Sequence, residues 1–215
     1  MPLESMHRQV LLLAGAQALF QIASVMVMTI GGLAGAQIAP SPRWATLPIA
    51  TMFLGTACAM FPASMWMARV GRRAGFLAGT LLGAAGGVVA AAGIAIGSLA
   101  LLSFGTFLVG AYQAFAQFYR FAASEIADAA FRPRAISWVM AGGVVAAILG
   151  PWLARIGGPL LKPEYLGSFV LLVVVALLAT GLLTGLRMPR EHAGHADAAK
   201  ARPWRTVVGQ PAYLV

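Results

Sequence analysis

Three arginines lie within five positions of a chain that is otherwise mostly apolar. Arg69, Arg72 and Arg73 occur in "MWMARVGRRAG", with Gly71 among them, between two long hydrophobic runs. Guanidinium groups stay charged and donate paired hydrogen bonds to carboxylates, so this segment is able to hold an acidic partner. Glycine permits a tight backbone turn between the two runs. We predict that these four residues form a basic connection between two helices.

Amides and a hydroxyl form a second polar group, inside the hydrophobic runs. Gln17 and Gln21 are four residues apart, as are Gln113 and Gln117, so each pair shares one helix face. Thr106 lies in the same run as the second pair. Polar faces in lipid turn toward the interior of a bundle or toward a water-filled cavity. The five residues therefore either bond neighbouring helices together or line a cavity for a polar solute.

The composition indicates an integral membrane protein. Hydrophobic residues make up 60% of the chain and charged residues only 10%, and the mean hydropathy is +0.83. A typical soluble domain has about 25% charged residues. The net charge of +9 does not indicate nucleic-acid binding, because the basic residues lie between apolar runs, where they orient a protein in a membrane.

Hydropathy predicts an all-α membrane protein with six transmembrane helices, since a spanning helix needs about 20 mainly apolar residues. The predicted spans cover residues 10–35, 45–68, 74–97, 99–119, 135–155 and 167–186. We therefore expect a helical bundle over residues 1–186, a polar cytoplasmic linker over 187–210 and the start of a truncated seventh helix over 211–215.

The distribution of basic residues predicts the orientation. With six spans, twelve of the fifteen lysines and arginines fall on the side of the N-terminus, and only Arg43, Arg155 and Lys162 fall on the other side. Positive charge accumulates on the cytoplasmic side of membrane proteins. We expect a multi-pass protein of a bacterial inner membrane, surrounded by lipid, with a cytoplasmic N-terminus.

The sequence does not predict an enzyme, a metal site or a bound cofactor. The three histidines, at positions 7, 192 and 195, all lie outside the predicted spans, and the single cysteine is Cys58. An intramembrane enzyme would need a nucleophile with a base, or a cluster of titratable side chains. Methionines in the spans are soft enough to bind Cu(I), but methionine is also a common packing residue.

The basic connection resembles the signature G-x-x-x-D-R-x-G-R-R of the major facilitator superfamily, found between the second and third helices on the cytoplasmic side. Arg69, Gly71, Arg72 and Arg73 match it in register, whereas Ser64 and Ala68 replace its glycine and aspartate. The resemblance implies that the chain is one half of a 6+6 bundle, completed by a C-terminal six-helix half. It also implies that the connection is a conformational switch in a secondary transporter that works by alternating access.

The missing aspartate leaves the switch without its acidic partner in the family pattern. Arg120 and Glu125, in "FYRFAASEIAD", are the candidate charge partners that replace it. We predict that Glu125 pairs with Arg69 or Arg73. Charge pairing would then hold the cytoplasmic surface in one conformation.

Two further resemblances bear on the solute. Gly150 and Pro151 partly match a helix-5 motif of many exporters. The segments "APSPRWATLPIA" and "AISWVMAGGVVAAILGP" are similar to a bacterial subgroup that includes copper importers for cytochrome oxidase assembly and riboflavin importers. The resemblance implies uptake of a small solute, either copper or a riboflavin-like molecule. A six-helix membrane scaffold or a homodimeric half-transporter is the alternative.

Overall fold

A computed structural model describes residues 3–188, and the described chain is built from helices without a strand. Its helices are α1 (Leu3–Ile38), α2 (Leu47–Val70), α3 (Arg72–Ala95), α4 (Leu99–Ala116), α5 (Tyr119–Ile126), α6 (Arg132–Gly157) and α7 (Leu166–Thr184), with 3-10 turns at Pro42–Trp44 and Gly158–Leu160. Six helical segments of this region are long and apolar enough to cross a membrane, the fourth consisting of α4 and α5 together. The prediction of an all-α fold with six spans is confirmed.

The helix ends differ from the prediction in two places. Helix α1 begins at Leu3, before the predicted start at residue 10, so His7 lies inside a helix. The fourth span continues past Tyr119 as α5, which carries Arg120 and Glu125. Hydropathy misses both extensions because polar residues in them lower the window average. The predicted linker and seventh helix lie outside the described residues, apart from residues 187–188, which are not helical.

The packing leaves two helices with little cover. Helix α4 packs between α2 and α3, α1 packs along α6, and α7 packs on α3 and α1. In the apolar 18-residue stretch of each span, only 17% is buried for α2 and 22% for α6. The corresponding share is 44–56% in the other four spans. Helices α2 and α6 therefore form the outer edges of the bundle, and each presents a long apolar face.

One end of the bundle carries the start of α1, the α2–α3 connection, α5 and the end of α7, and we call it the basic end. The amide oxygen of Gln9 in α1 accepts a hydrogen bond from the backbone N–H of Arg187 at 2.7 Å. The guanidinium of Arg132 donates to the carbonyl of Ser124 at 3.0 Å. These bonds hold together chain segments that are far apart in sequence or separated by a turn.

Glycine lets the backbones of α2 and α4 touch. A Cβ atom on Gly110 would overlap the carbonyl of Met52, and one on Gly55 would overlap the carbonyl of Phe107. Lipid supplies no hydrophobic drive for helix association, so close backbone contact provides the dispersion energy instead. A side chain at either position would push the two helices apart.

Small residues at four-residue spacing likewise allow close contact between α1 and α6. Gly142, Ala146, Gly150 and Ala154 are all buried along one side of α6. A Cβ atom on Gly142 would lie 2.9 Å from the backbone nitrogen of Ala18, and Gly150 is similarly close to the side chain of Val25. Gly150, singled out for its helix-5 motif, is thus a packing residue in this bundle, while the neighbouring Pro151 is exposed.

We expect Gly110→Ala to destabilise the bundle strongly, because its methyl group has no room beside Met52. Forcing an extra carbon into a packed interface typically costs about 1–3 kcal/mol, and here the obstacle is backbone. Thermal unfolding in detergent, followed by size-exclusion chromatography, measures the effect. Gly181→Ala is the matched control, because Gly181 has no described atom within 4 Å of the added carbon. Equal unfolding temperatures for the two variants would contradict the packing described here.

Candidate functional site

The α2–α3 connection consists of one residue, Gly71. Its φ of 89° and ψ of 154° lie in a region that is essentially restricted to glycine. Its N–H donates to the carbonyl of Met67 at 2.9 Å, which closes the last turn of α2. Arg69 therefore lies in the last turn of α2, while Arg72 and Arg73 begin α3.

Arg72 is the arginine that binds Glu125. Its Nε donates to Oε2 of Glu125 at 2.6 Å, and a second guanidinium nitrogen donates to Oε1, so the pair is bidentate. Both side chains are partly open to solvent, with exposures of 26% and 40%. The prediction that Glu125 pairs with Arg69 or Arg73 is wrong. Successive residues of a helix point about 100° apart, so of the three arginines only Arg72, the first residue of α3, is directed at Glu125.

The other two arginines of the connection have different surroundings. The guanidinium of Arg73 donates to the carbonyl of Thr184, at the end of α7, at 2.7 Å. A basic side chain at a helix C-terminus satisfies a free carbonyl and interacts well with the helix dipole. Arg69 makes no hydrogen bond or ion pair with any described residue, and it lies at an apolar groove. The connection thus contacts α5 through Arg72 and α7 through Arg73.

Arg120 has no acidic partner within residues 3–188. Its guanidinium lies 4.9 Å from the centre of the Phe121 ring, which is a cation–π geometry. Glu125 therefore pairs with Arg72, and Arg120 is not the charge partner that the sequence analysis predicted. Arg120 instead borders a polar pocket.

The polar pocket lies where α1, α6 and the break between α4 and α5 meet. Its volume is about 50 Å³, and its side-chain lining includes Gln17, Gln21, Gln117, Arg120 and Met140. Helix α4 ends at Ala116 and α5 begins at Tyr119, so Gln117 lies at the break. The structure thus brings together three of the four glutamines singled out from the sequence. Met140 is one of the span methionines considered for Cu(I), but the sequence did not place it beside the glutamines, because its position depends on how α6 packs against α1.

Thr106 and Gln113 lie elsewhere and bond α4 to α2. Thr106 is fully buried, and its hydroxyl lies 3.0 Å from that of Thr51. The amide oxygen of Gln113 accepts a hydrogen bond from Thr56 at 3.3 Å. For Thr106 the cavity-lining prediction is wrong, because a hydroxyl with no exposed surface cannot line a cavity. Of the two interpretations left open by the sequence, interhelical bonding applies to these two residues.

The apolar groove, which we call the α2 groove, runs along the last three turns of α2. It has a volume of about 500 Å³ and is lined by Ala59, Phe61, Pro62, Ala63, Met65, Trp66, Arg69 and Phe115. All of these belong to α2 except Phe115, which belongs to α4. The sequence pattern of the spans did not single it out, because a groove depends on how side chains from two helices meet.

No cluster of three metal-ligating histidine, cysteine or acidic side chains occurs within the described residues. Cys58 is exposed on α2. The polar pocket contains a single sulfur, that of Met140. The candidate site is therefore the polar pocket together with the Arg72–Glu125 pair.

Comparison with known proteins agrees with the sequence motif. The profile of the Major Facilitator Superfamily matches residues 11–215. The chain is 38% identical over 211 residues to the riboflavin transporter RfnT of Brucella anthropi, covering 97% of this chain and 53% of that protein. It is 27% identical over 181 residues to the uncharacterized MFS-type transporter YdeG of Bacillus subtilis, covering 82% of this chain and 42% of that protein.

These comparisons and the six apolar helices agree on the class of protein. The chain spans about half the length, or less, of the curated relatives it matches. The matched region begins in α1 and includes all of the α2–α3 connection. The chain belongs to the Major Facilitator Superfamily and is a multi-pass membrane protein.

Proposed function

We propose that this bundle is the N-terminal half of a secondary transporter that takes up a small organic solute by alternating access. The observation that carries the proposal is the polar pocket, which joins three glutamines and an arginine from separate parts of the chain inside an apolar bundle. Polar side chains are costly in lipid and lie where solutes or ions pass. Transporters of this type bind their solute near the membrane midplane, between two repeats.

The lining of the pocket favours a solute with several hydrogen-bonding groups. Each glutamine amide donates and accepts, and the Arg120 guanidinium only donates. Such a lining suits the carbonyl and N–H groups of a riboflavin-like molecule, and the RfnT relative is named for that solute. Copper is the weaker candidate, because Cu(I) prefers several soft ligands and the pocket offers one thioether, that of Met140.

The polar pocket of this bundle is too small to enclose the proposed solute. A pocket of about 50 Å³ holds an edge of a flavin-sized molecule, while typical ligand pockets measure about 300–1,000 Å³. Large side chains such as Phe53 and Met60 on α2 and Met140 on α6 are exposed. We expect a second six-helix unit to cover these faces and to complete the site.

The proposed orientation places the basic end in the cytoplasm of a bacterial cell, with the bundle in the inner membrane. The basic connection, the start of α1 and the loop before α6 all lie at that end. Arginine and lysine concentrate on the cytoplasmic side of inner-membrane proteins. The Arg72–Glu125 pair then lies at the cytoplasmic surface, where it holds α3 against α5 during the transport cycle and supplies the acid that position 68 lacks.

Uptake of radiolabelled riboflavin into cells tests the pocket. We expect Gln17→Leu and Gln117→Leu each to raise the apparent KM by about ten-fold, the effect of losing one or two hydrogen bonds to the solute. Gln37→Leu is the matched control, because Gln37 lies at the opposite end and donates to Glu164 at 2.9 Å. Copper uptake, measured in parallel, should not depend on these glutamines. Wild-type riboflavin uptake by both pocket variants would contradict the proposed site.

A charge exchange tests the Arg72–Glu125 pair, which we call the clamp because it is proposed to hold α3 against α5. Glu125→Arg alone should lower the uptake rate about 1.4- to five-fold, since an exposed pair contributes roughly 0.2–1 kcal/mol. Adding Arg72→Glu restores the pair in reverse and should recover most of the rate. Adding Arg73→Glu instead should recover nothing, because Arg73 contacts the carbonyl of Thr184. Unchanged uptake in Glu125→Arg, or equal recovery by either second change, would rule out the clamp.

A further inference from the structure

The α2 groove combines an apolar trough with a charged side chain at its end, that of Arg69, which pairs with no residue of the range 3–188. Pro62, Met65, Trp66 and Phe115 line the trough, and Arg69 lies at the basic end of it. We propose that this groove binds one anionic phospholipid, with an acyl chain along the trough and the lipid phosphate on the Arg69 guanidinium. The proposal concerns the lipid surroundings of the protein and stands apart from the solute pocket.

The groove lies on the side of the α2–α4 contact that faces away from the side-chain hydrogen bonds between these two helices. Thr56 bonds Gln113 on one side of that contact, whereas Trp66 meets Phe115 on the other. Arg69 is nine residues beyond Met60, which places the two about 180° apart around the helix. The face proposed to meet a second six-helix unit carries Met60, so the groove remains on the opposite flank, toward lipid.

Packing against α2 and α3 holds Phe115 in place at the edge of the trough. The Phe115 ring packs edge-to-face against Trp66, with ring centres 6.1 Å apart. A Cβ atom on Gly79 of α3 would lie 2.7 Å from the Cβ of Phe115, so α3 supports that side chain from behind. Ala59 adds little bulk beside them. The side chains that line an empty apolar trough on a membrane-facing helix lack dispersion contacts on one side. A hydrocarbon chain in the trough supplies those contacts.

The dimensions of the groove match one acyl chain in one leaflet. From Ala59 to Arg69 the helix rises about 15 Å, which is half of a hydrocarbon core about 30 Å thick. Arg69 lies in the last turn of α2, so its guanidinium is at the level of the lipid headgroups when the trough lies in the acyl region. Trp66, one turn earlier, is a residue type enriched at that interface.

The charge of Arg69 selects an anionic headgroup. Arg72 is bonded to Glu125 and Arg73 to the carbonyl of Thr184, whereas Arg69 has no partner among residues 3–188. Guanidinium groups form strong bidentate hydrogen bonds with phosphate. Basic pockets between transmembrane helices on the cytoplasmic side bind anionic lipid headgroups. A zwitterionic lipid offers the same acyl chain but no net charge for Arg69 to attract.

Lipid retention tests the proposal independently of transport. The full chain, reconstituted in phosphatidylcholine nanodiscs containing phosphatidylglycerol, is released into the gas phase, and native mass spectrometry counts the bound phosphatidylglycerol. We expect Arg69→Gln to lower its retention about five-fold, the contribution of one basic residue near an anionic surface. Ala59→Phe, which fills the trough without changing charge, should lower it as well. Arg69→Lys should retain more lipid than Arg69→Gln.

Arg134→Gln is the matched control, because Arg134 is an exposed arginine in the first turn of α6, at the same end. It should retain phosphatidylglycerol like the wild type, and phosphatidylcholine retention should be the same in the wild type, Arg69→Gln and Arg134→Gln. Wild-type retention in either Arg69→Gln or Ala59→Phe would overturn the proposal. That result is expected if a second protein unit, rather than lipid, covers the groove. Size-exclusion chromatography confirms that each variant is folded.

Discussion

Backbone-to-backbone contact between helices is the constraint on which this bundle depends. In lipid the apolar surface of a helix is already solvated, so helices associate chiefly where their backbones approach closely enough to gain dispersion energy, with interhelical hydrogen bonds in addition. Gly110 against the carbonyl of Met52 and Gly142 against Ala18 provide such contacts. Because these contacts fix α4 on α2 and α6 on α1, they also determine where polar side chains from different helices meet. The polar pocket is one such meeting place.

The sequence predicted what depends on one helix at a time. Runs of apolar residues and the position of Gly71 were enough for the six spans and the turn between α2 and α3. The partner of Glu125 was not predictable, because it depends on how α3 is rotated when it leaves Gly71, and that rotation directs Arg72 toward α5. The burial of Thr106 was not predictable for a similar reason, since its partner Thr51 lies 55 residues away on another helix.

The three arginines of the connection show how one short motif serves several purposes. Arg72 neutralises an acid on α5, Arg73 satisfies a carbonyl at the end of α7, and Arg69, which has no polar partner among residues 3–188, borders the α2 groove. The family pattern places an aspartate where this chain has Ala68, and the acid of this structure comes from α5 instead. The clamp therefore joins elements within one half of the proposed transporter.

Cysteine labelling tests most directly whether the polar pocket contacts the solute. Cys58 is the single cysteine among these 215 residues, so Met140→Cys in a Cys58→Ser background places the one thiol of this bundle at the pocket. We expect a water-soluble thiol reagent to modify it, and saturating riboflavin to slow that reaction. Arg134→Cys, exposed in the first turn of α6 at the basic end, should react at the same rate with and without riboflavin. If riboflavin leaves the reaction of Met140→Cys unchanged in a protein that still takes up riboflavin, the pocket is not the solute site.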